Sequence, residues 1–189
     1  MSSRAKRANR GKARTVPLPT KVESLKMLRE AGADESLLAH CKAVSALAVK
    51  IAKKCKVPVD LQLVEIGGLL HDIGRTSTHG VAHGVEGGKI ARKKGLSIKI
   101  LRIIERHIGA GLSKEDAERL GLPKRSYLPM TMEEKIIAHA DNLISGNKRA
   151  PVAEAVTRLV RLRENEGAGR IVALHKELSE LCGVDLDLL

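Results

Sequence analysis

The fold of this chain is decided by residues 61–75, whose sequence is LQLVEIGGLLHDIGR. Its apolar residues recur with helical rather than alternating spacing. Val64, Gly68 and His71 are four and three residues apart, and residues at such intervals share one face of a helix. The stretch therefore predicts a buried helix that ends by placing a histidine, followed at once by Asp72, on the side of the protein core.

Helical spacing continues on both sides of this stretch. Thr20 and Thr131 each have a glutamate three residues later, which is the pattern of a capping box at a helix start. The predicted helices cover approximately residues 20–32, 34–55, 60–71, 85–94, 97–107, 114–120, 131–145, 151–164 and 170–181. The sequence has no alternating strands of useful length and no internal repeat. We therefore predict an all-α domain over residues 20–189, built as a bundle of seven or more helices.

The composition favours a soluble, cytoplasmic protein with an aliphatic core. Hydrophobic residues make up 43% of the chain, but Tyr127 is its one aromatic residue, so Leu, Ile, Val and Ala must supply the packing. No apolar run approaches the ~20 residues of a membrane-spanning helix, and the basic N-terminus lacks the apolar segment of a signal peptide. Cys41, Cys55 and Cys182 fit neither a disulfide framework nor a zinc site, and we interpret them as reduced thiols.

Residues 1–19 are predicted to form a disordered basic arm. The first 20 residues hold six Lys and Arg and no acid; removing those six from the 34 in the chain leaves 28 against 22 Asp and Glu. Half of the formal charge of +12 therefore lies in the arm, which has too few apolar residues to fold alone. The arm is suited either to contact an RNA backbone or to act as a solubilising tail.

Four predicted helices place an ionisable residue in line with their apolar residues. These residues are His40, His71, His107 and Asp141. A buried carboxylate without a partner is costly, so Asp72 and Asp141 require a cation or a dense hydrogen-bond network. A metal ion would satisfy both carboxylates and use the nearby imidazoles, so the combination predicts a metal site.

The remaining histidines receive a structural interpretation. His175 lies on an apolar stripe but has no companions in its helix. His139 is two residues from Asp141 and so points to a different side of the helix. His79 lies in a loop, where the sequence assigns it no partner.

The ordered set of His40, His71-Asp72 and Asp141 resembles the signature of the HD-domain metal-dependent phosphohydrolases. Residues 71–75, HDIGR, resemble the HDIG variant of that signature. The segment 83–87, HGVEG, is similar to the His-x-x-x-Gly element of members that bind two metals, and His107 follows it. The resemblance covers residues 40–145 and implies an HD-domain helical bundle of the small, stand-alone HDIG type.

The resemblance also implies roles for these residues. Four are implied to bind a first divalent ion: His40, His71, Asp72 and Asp141. His83 and His107 are implied to bind a second ion, with Asp72 bridging the two. Arg75, where related members often carry lysine, is implied to contact the substrate phosphate, so that Asp72 and Arg75 are the expected catalytic residues. Imidazole and carboxylate ligands without thiolate suit Fe, Mn, Co, Ni, Zn or Mg.

The activity that follows from this resemblance is hydrolysis of a phosphate ester of a nucleotide-like substrate at one or two divalent ions. By analogy with small HDIG-type members, we favour a phosphodiester such as a 2′,3′-cyclic phosphate. The alternatives are a nucleotide monophosphatase, an oxygenase with a di-iron site, and a non-catalytic HD scaffold that binds nucleic acid or regulates. The sequence leaves open the substrate, the native metal, the number of ions, the general acid, the oligomeric state and the role of the arm.

Overall fold

The computed structural model describes residues 16–189, which form a helical bundle. Its α-helices are α1 (Lys21–Glu30), α2 (Glu35–Lys54), α3 (Leu61–Leu70), α4 (His83–Lys93), α5 (Ile98–Arg106), α6 (Lys114–Arg119), α7 (Met132–Asn142), α8 (Val152–Arg161) and α9 (Asn165–Cys182). Short 3-10 helices cover Ile73–Thr76 and Leu186–Leu188, and two antiparallel strands, β1 (Ile144–Ser145) and β2 (Lys148–Arg149), form a small hairpin. The predicted all-α fold of seven or more helices is confirmed.

Side-chain caps fix the helix starts that the sequence predicted. At α1 the Thr20 hydroxyl accepts from the Glu23 amide at 3.2 Å, and the Glu23 carboxylate accepts from the Thr20 amide at 2.7 Å. At α7 only half of the predicted capping box forms, with Thr131 accepting from the Glu134 amide at 3.3 Å. The Glu134 carboxylate instead accepts from Arg106 at 2.8 Å and from the Met130 amide at 2.7 Å, because an arginine on α5 lies within its reach.

The core is aliphatic, as the composition requires, and two glycines set its closest approaches. α2 packs along α3 and α7, while α4 packs against α5 and the first 3-10 helix. A Cβ at Gly68 would lie 2.7 Å from Ser45 Cα, so this glycine allows α3 to cross α2 at close range. A Cβ at Gly74 would overlap the backbone carbonyl of His83. The glycine after Asp72 thereby brings the start of α4 beside the His-Asp pair.

The sequence prediction fails locally after α7. The helix predicted to reach Ser145 ends at Asn142, and the β1–β2 hairpin follows, with Gly146 in the left-handed region at φ +60°. The side-chain Nδ2 of Asn142, the last residue of the helix, donates to the Gly109 carbonyl at 2.7 Å, a partner that lies far away in sequence.

The two C-terminal helices also differ from their predicted bounds. The helix predicted for residues 151–164 covers Val152–Arg161, with Pro151 as its N-cap, and the helix predicted for 170–181 begins earlier, at Asn165. The predicted end of α9 is confirmed, since Gly183 closes it in the left-handed conformation at φ +68°.

The N-terminal arm lies mostly outside the described residues, since the description starts at Val16. Its predicted boundary at residue 19 is too late, because Leu18 packs against the core and Pro19 is buried. Within residues 16–189, no helix has both the length and the apolar character needed to cross a bilayer.

Candidate metal centre

All six residues that the sequence singled out as metal ligands meet in one place. His40 lies in α2 and Asp141 in the last turn of α7. His71 and His107 are the C-caps of α3 and α5, and His83 is the first residue of α4. Asp72 lies between α3 and the first 3-10 helix. Five helices thus contribute to a cluster that no local stretch of sequence contains.

One half of the cluster joins two histidines to two carboxylates. His40 Nε2 lies 3.0 Å from Asp141 Oδ1 and 3.5 Å from Asp72 Oδ2. His71 Nε2 lies 3.6 Å from Asp141 Oδ1 and 3.7 Å from Asp72 Oδ2. These four side chains enclose a space that one cation would share.

The other half uses the second oxygen of Asp72. His83 Nε2 and His107 Nε2 lie 3.1 Å and 3.2 Å from Asp72 Oδ1, and the two nitrogens are 2.9 Å apart. Each oxygen of Asp72 therefore faces a different pair of imidazoles, which is the arrangement required of a bridging carboxylate.

The histidine tautomers are fixed by backbone carbonyls. The Nδ1 atoms of His71, His83 and His107 lie 2.8 Å from carbonyl oxygens three residues earlier in the chain. His40 Nδ1 lies 2.6 Å from the carbonyl of Gly146 in the hairpin turn. Because a carbonyl only accepts, each Nδ1 carries the hydrogen and donates it. With the hydrogen on Nδ1, the Nε2 atom of each imidazole is the one that faces the cluster and can ligate a metal, as in metal-ligating histidines.

Lone pairs that face carboxylate oxygens require a positive charge between them. His71 Nε2 and Asp72 Oδ1 are both buried and make no hydrogen bond within the described residues. Buried polar atoms are rarely left without a partner, because each such atom has lost its hydration. The donor set and these two atoms therefore fit a divalent metal ion, and the groups of His, Asp and Glu close enough to share an ion include three drawn from this cluster.

The electrostatics of the cluster keep both carboxylates ionised. Burial alone raises the pKa of Asp72, but the imidazoles of His71, His107 and His83 outweigh it and hold that pKa well below its usual range. The pKa of Asp141 is lowered in the same way, against burial, by His40 and His71. Burial lowers the pKa of His71, yet Asp72 and Asp141 overcome this and raise it to about 9. The site thus concentrates negative charge that attracts a cation, whether a proton or a metal.

Arg75 lies at the edge of the cluster. Its Nε is 2.9 Å from Asp72 Oδ2, and the side chain is 45% exposed. It lines a cleft of about 780 Å³ together with His40, His83, His107 and Asp141. Its terminal nitrogens have no hydrogen bond within the described residues and are free to bind a ligand in that cleft.

The structure adds residues that the motif did not indicate. His79 and Arg158 line the same cleft, although His79 was assigned no partner and Arg158 lies on α8, outside the motif. No sequence signal for Arg158 was available, since a lone arginine on an amphipathic helix is usually solvated.

The interpretation of His175 as a histidine without companions is wrong. His175 Nδ1 lies 3.0 Å from His139 Nε2, and His175 Nε2 lies 3.0 Å from Asp185 Oδ1. Both partners come from other elements, α7 and the segment after α9, so the spacing within one helix could not reveal them.

Comparison with known proteins identifies a family model. Residues 37–146 match the model of the HD domain. This range includes all six clustered residues and ends in the hairpin.

Sequence similarity to known proteins extends beyond the HD domain. The chain is 44% identical over 170 residues to a tRNA (cytidine(56)-2'-O)-methyltransferase of Thermoplasma volcanium, covering 90% of this chain and 50% of the relative. It is 49% identical over 152 residues to an uncharacterized protein of Methanocaldococcus jannaschii, covering 78% of this chain and 90% of the relative. It is 32% identical over 135 residues to Ribonuclease Y of Thermosipho melanesiensis, covering 69% of this chain and 23% of the relative. The chain therefore spans about half the length of the methyltransferase and less of the ribonuclease.

A solved structure shares the fold. The HD domain of the L. monocytogenes phosphodiesterase PgpH, in complex with Cyclic-di-AMP, superimposes with a TM-score of 0.53 at 19% identity, covering 85% of this chain and 96% of that one.

Proposed function

We propose that this chain, which belongs to the HD domain family, is a metal-dependent phosphohydrolase that cleaves phosphodiester bonds of a nucleotide-like substrate. The observation that carries the proposal is the direction of the four imidazoles. Each donates Nδ1–H to a backbone carbonyl and turns its Nε2 lone pair toward Asp72 or Asp141. Such a cluster is poorly satisfied by neutral groups alone and well satisfied by divalent ions.

The residues are suited to hold two ions. We assign His40, His71, Asp72 and Asp141 to the first ion, and His83, His107 and Asp72 to the second. Ligands of this type suit Fe, Mn, Co, Ni, Zn or Mg. A bound divalent ion of this kind supplies Lewis-acid stabilisation and lowers the pKa of water.

The chain itself supplies the groups that bind and orient the substrate. Arg75 is held by Asp72 through its Nε, and we assign its remaining N–H donors to the non-bridging oxygens of the scissile phosphate. Donors fixed in place before the reaction stabilise the charge that develops on phosphate oxygens. Asp72 thus has two roles, as a bridging ligand and as the residue that positions Arg75.

Two similar proteins support a diester rather than a monoester as substrate. The PgpH HD domain is a phosphodiesterase crystallised with Cyclic-di-AMP, and Ribonuclease Y is a relative by sequence. The cleft of about 780 Å³ lies within the range of pockets that take ligands of nucleotide size.

A second candidate is a tRNA-associated module without hydrolytic activity. It is favoured by the similarity of this chain to half of a tRNA (cytidine(56)-2'-O)-methyltransferase and by the formal charge of +12. Such a module would need no ion-binding cluster, so the two candidates differ in whether a metal is required.

Metal removal tests the proposed function. Purified protein is stripped with a chelator, reloaded with Mn²⁺, Fe²⁺, Co²⁺, Ni²⁺, Zn²⁺ or Mg²⁺, and assayed on bis(p-nitrophenyl) phosphate, 2′,3′-cyclic AMP and AMP. We expect loss of diester hydrolysis on stripping and its return with at least one ion. Hydrolysis of AMP alone would favour a nucleotide monophosphatase, and no hydrolysis with any ion would contradict the proposal and favour the tRNA-associated module.

A further inference from the structure

The cleft at the metal centre lies next to a second cavity. This cavity has a volume of about 720 Å³ and is lined mainly by the hairpin and by α8. The two spaces share four wall residues, Ile144, Ser145, Arg158 and Leu162. Arg158 therefore lies on the wall of both the cleft and the second cavity.

Arg158 is an exposed cation at the junction of the two spaces. Its guanidinium makes no ion pair or hydrogen bond with any of residues 16–189. Arg149, by contrast, donates to three carbonyls of the hairpin region and the C-terminal segment. The acid nearest to Arg158 along α8 is Glu154, and its carboxylate already accepts from the Ser145 hydroxyl at 2.7 Å. Arg158 is thus free to bind an anion.

Leu162 stands next to Arg158 on the same helical face. The two residues are four positions apart, and such residues are neighbours on a helix surface. Leu162 is 65% exposed although it lines both cavities. A cation beside an exposed apolar side chain offers complementary contacts to a phosphate and to the flat face of a base or sugar.

We propose that α8 is a substrate-binding wall in which Arg158 binds the phosphate next to the scissile one. The inference rests on the proposed function and names its substrate class, an oligonucleotide with at least two phosphodiester linkages. Arg75 and Arg158 then bind successive phosphates, while Leu162 covers the nucleoside between or beyond them. Because α8 lies outside the matched residues 37–146, this wall is an addition to the HD domain itself.

A matched pair of substrates tests the role of Arg158. The trinucleotide ApApA has a phosphate adjacent to each scissile bond, whereas the dinucleotide ApA has none. In the metal-loaded wild type we expect kcat/KM to be about tenfold higher for ApApA, the size expected of one charge-assisted hydrogen bond. Arg158→Ala should remove that preference, so that the variant hydrolyses ApApA and ApA with the same kcat/KM. Arg102→Ala, which removes an exposed arginine of α5, is the matched control and should keep the preference.

The outcomes separate this inference from the proposed function. If Arg158→Ala keeps the wild-type preference for ApApA over ApA, or if the wild type has no such preference, α8 is not a phosphate-binding wall. Neither result contradicts the proposed hydrolase activity. If the wild type hydrolyses none of ApApA, ApA and bis(p-nitrophenyl) phosphate with any ion, the proposed function fails, and the inference fails with it.

A separate observation concerns two of the cysteines. Cys55 Sγ at the end of α2 and Cys182 Sγ at the end of α9 lie 3.1 Å apart, although 127 residues separate them in sequence. Their segments are already joined by a backbone hydrogen bond of 3.1 Å from the Lys56 amide to the Leu181 carbonyl. Cys55 is partly exposed, so an oxidant can reach it.

We infer that Cys55 and Cys182 are a disulfide-forming pair that fastens the C-terminal helix to α2. Two thiols lose two protons and two electrons as the S–S bond forms, and an oxidised low-molecular-weight disulfide accepts them as two thiols. This differs from the sequence-based interpretation of three reduced thiols. Burial and the neighbouring Cys182 raise the pKa of Cys55 to about 12, so few thiolates form at neutral pH and oxidation is slow.

Oxidation of the full chain tests the pair. After incubation with oxidised glutathione at alkaline pH, we expect free thiols to fall from three to one per chain and the intact mass to fall by two hydrogen atoms. The Tm should rise by on the order of 10 °C, because the bond closes a long loop in the unfolded chain. Cys41→Ser, which has two thiols, should lose both, and Cys55→Ser should keep its two. A glutathione adduct, or three free thiols in the wild type, would overturn the inference.

Discussion

Two histidine clusters share helix α7 and differ in how their hydrogen-bond donors and acceptors are arranged, although His175, Asp185 and Asp187 also lie close enough together to share an ion. Asp141 on one side of α7 joins the six-residue cluster, while His139, two residues earlier, contacts His175 and through it Asp185. In the second cluster donors and acceptors alternate. His175 donates Nε2–H to Asp185, accepts at Nδ1, and so receives Nε2–H from His139. Protons satisfy both contacts of that chain, while His139 Nδ1 is buried and has no hydrogen-bond partner within the described residues.

The first cluster has no such alternation. Every Nδ1–H is used on a backbone carbonyl, so each Nε2 meets an oxygen or another nitrogen with a lone pair. Proximity of histidines alone therefore does not define a metal centre. The direction in which each tautomer points decides whether a cation is needed.

The largest expected effect comes from Asp72, the carboxylate that both halves share. Asp72→Asn keeps the size of the side chain but removes its charge and one acceptor oxygen. We expect diester hydrolysis to fall by about three orders of magnitude or more, because both ions and Arg75 lose their common partner. Turnover of bis(p-nitrophenyl) phosphate measures it, with Glu118→Gln as the surface control. Wild-type turnover in the Asp72→Asn variant would mean that the six-residue cluster takes no part in hydrolysis.

A smaller loss is expected for the two histidines of the second half. His83→Ala or His107→Ala should lower metal content by about one ion per chain and turnover by about 100-fold, while the first ion stays bound. Elemental analysis of the purified variants provides the measurement. Full metal and full activity in both variants would contradict a second ion at this site.

The second cluster should respond to pH and not to metal. Burial, with smaller contributions from His175 and Arg149, lowers the pKa of His139 from 6.5 to about 3. Between these values the unfolded chain binds a proton that the folded chain does not, so stability falls as the pH is lowered from 6.5 toward 3. His139 alone should lower the free energy of unfolding by on the order of several kcal/mol across this pH range. His139→Gln should flatten this part of the curve in urea titrations across that range, and an unchanged slope would contradict the buried, neutral state of His139.

The smallest effect is expected for His175→Ala. The variant leaves His139 Nε2–H without an acceptor and removes a contact to Asp185, which should cost about 1–3 kcal/mol of unfolding free energy. Hydrolysis and metal content should stay at wild-type levels. Chemical denaturation beside an activity assay separates the two effects, and loss of bound metal would mean that the clusters are coupled.

The sequence predicted most of the elements because helix starts are local events. The helix starts predicted near residues 20, 34, 60 and 97 depend on residues within one turn, and the structure has a side-chain cap at each of them, from Thr20, Asp34, Asp60 and Ser97. Four of the candidate ligands, His40, His71, His107 and Asp141, were marked by their place in the apolar stripe of their own helix, and the resemblance to the HD signature indicated His83.

What the sequence could not predict depends on long-range contacts. The carbonyl that orients His40 belongs to Gly146, 106 residues away, in a hairpin that was predicted to be helix. The partners of His175 could not be predicted because they lie on other elements. Arg158 enters the cleft only through the packing of α8, and neither its spacing nor its neighbours indicate a ligand.

Equilibrium dialysis against Mn²⁺ tests whether the first cluster, and not the second, binds metal. It compares the wild type with two variants, each of which lacks one histidine of one cluster. The wild type is predicted to bind one or two ions per chain after stripping and reloading. His71→Ala should lose the first ion, because it removes a buried Nε2 that has no other partner. His175→Ala should bind as much Mn²⁺ as the wild type. Equal binding by all three proteins, or stronger loss in His175→Ala than in His71→Ala, would contradict the account.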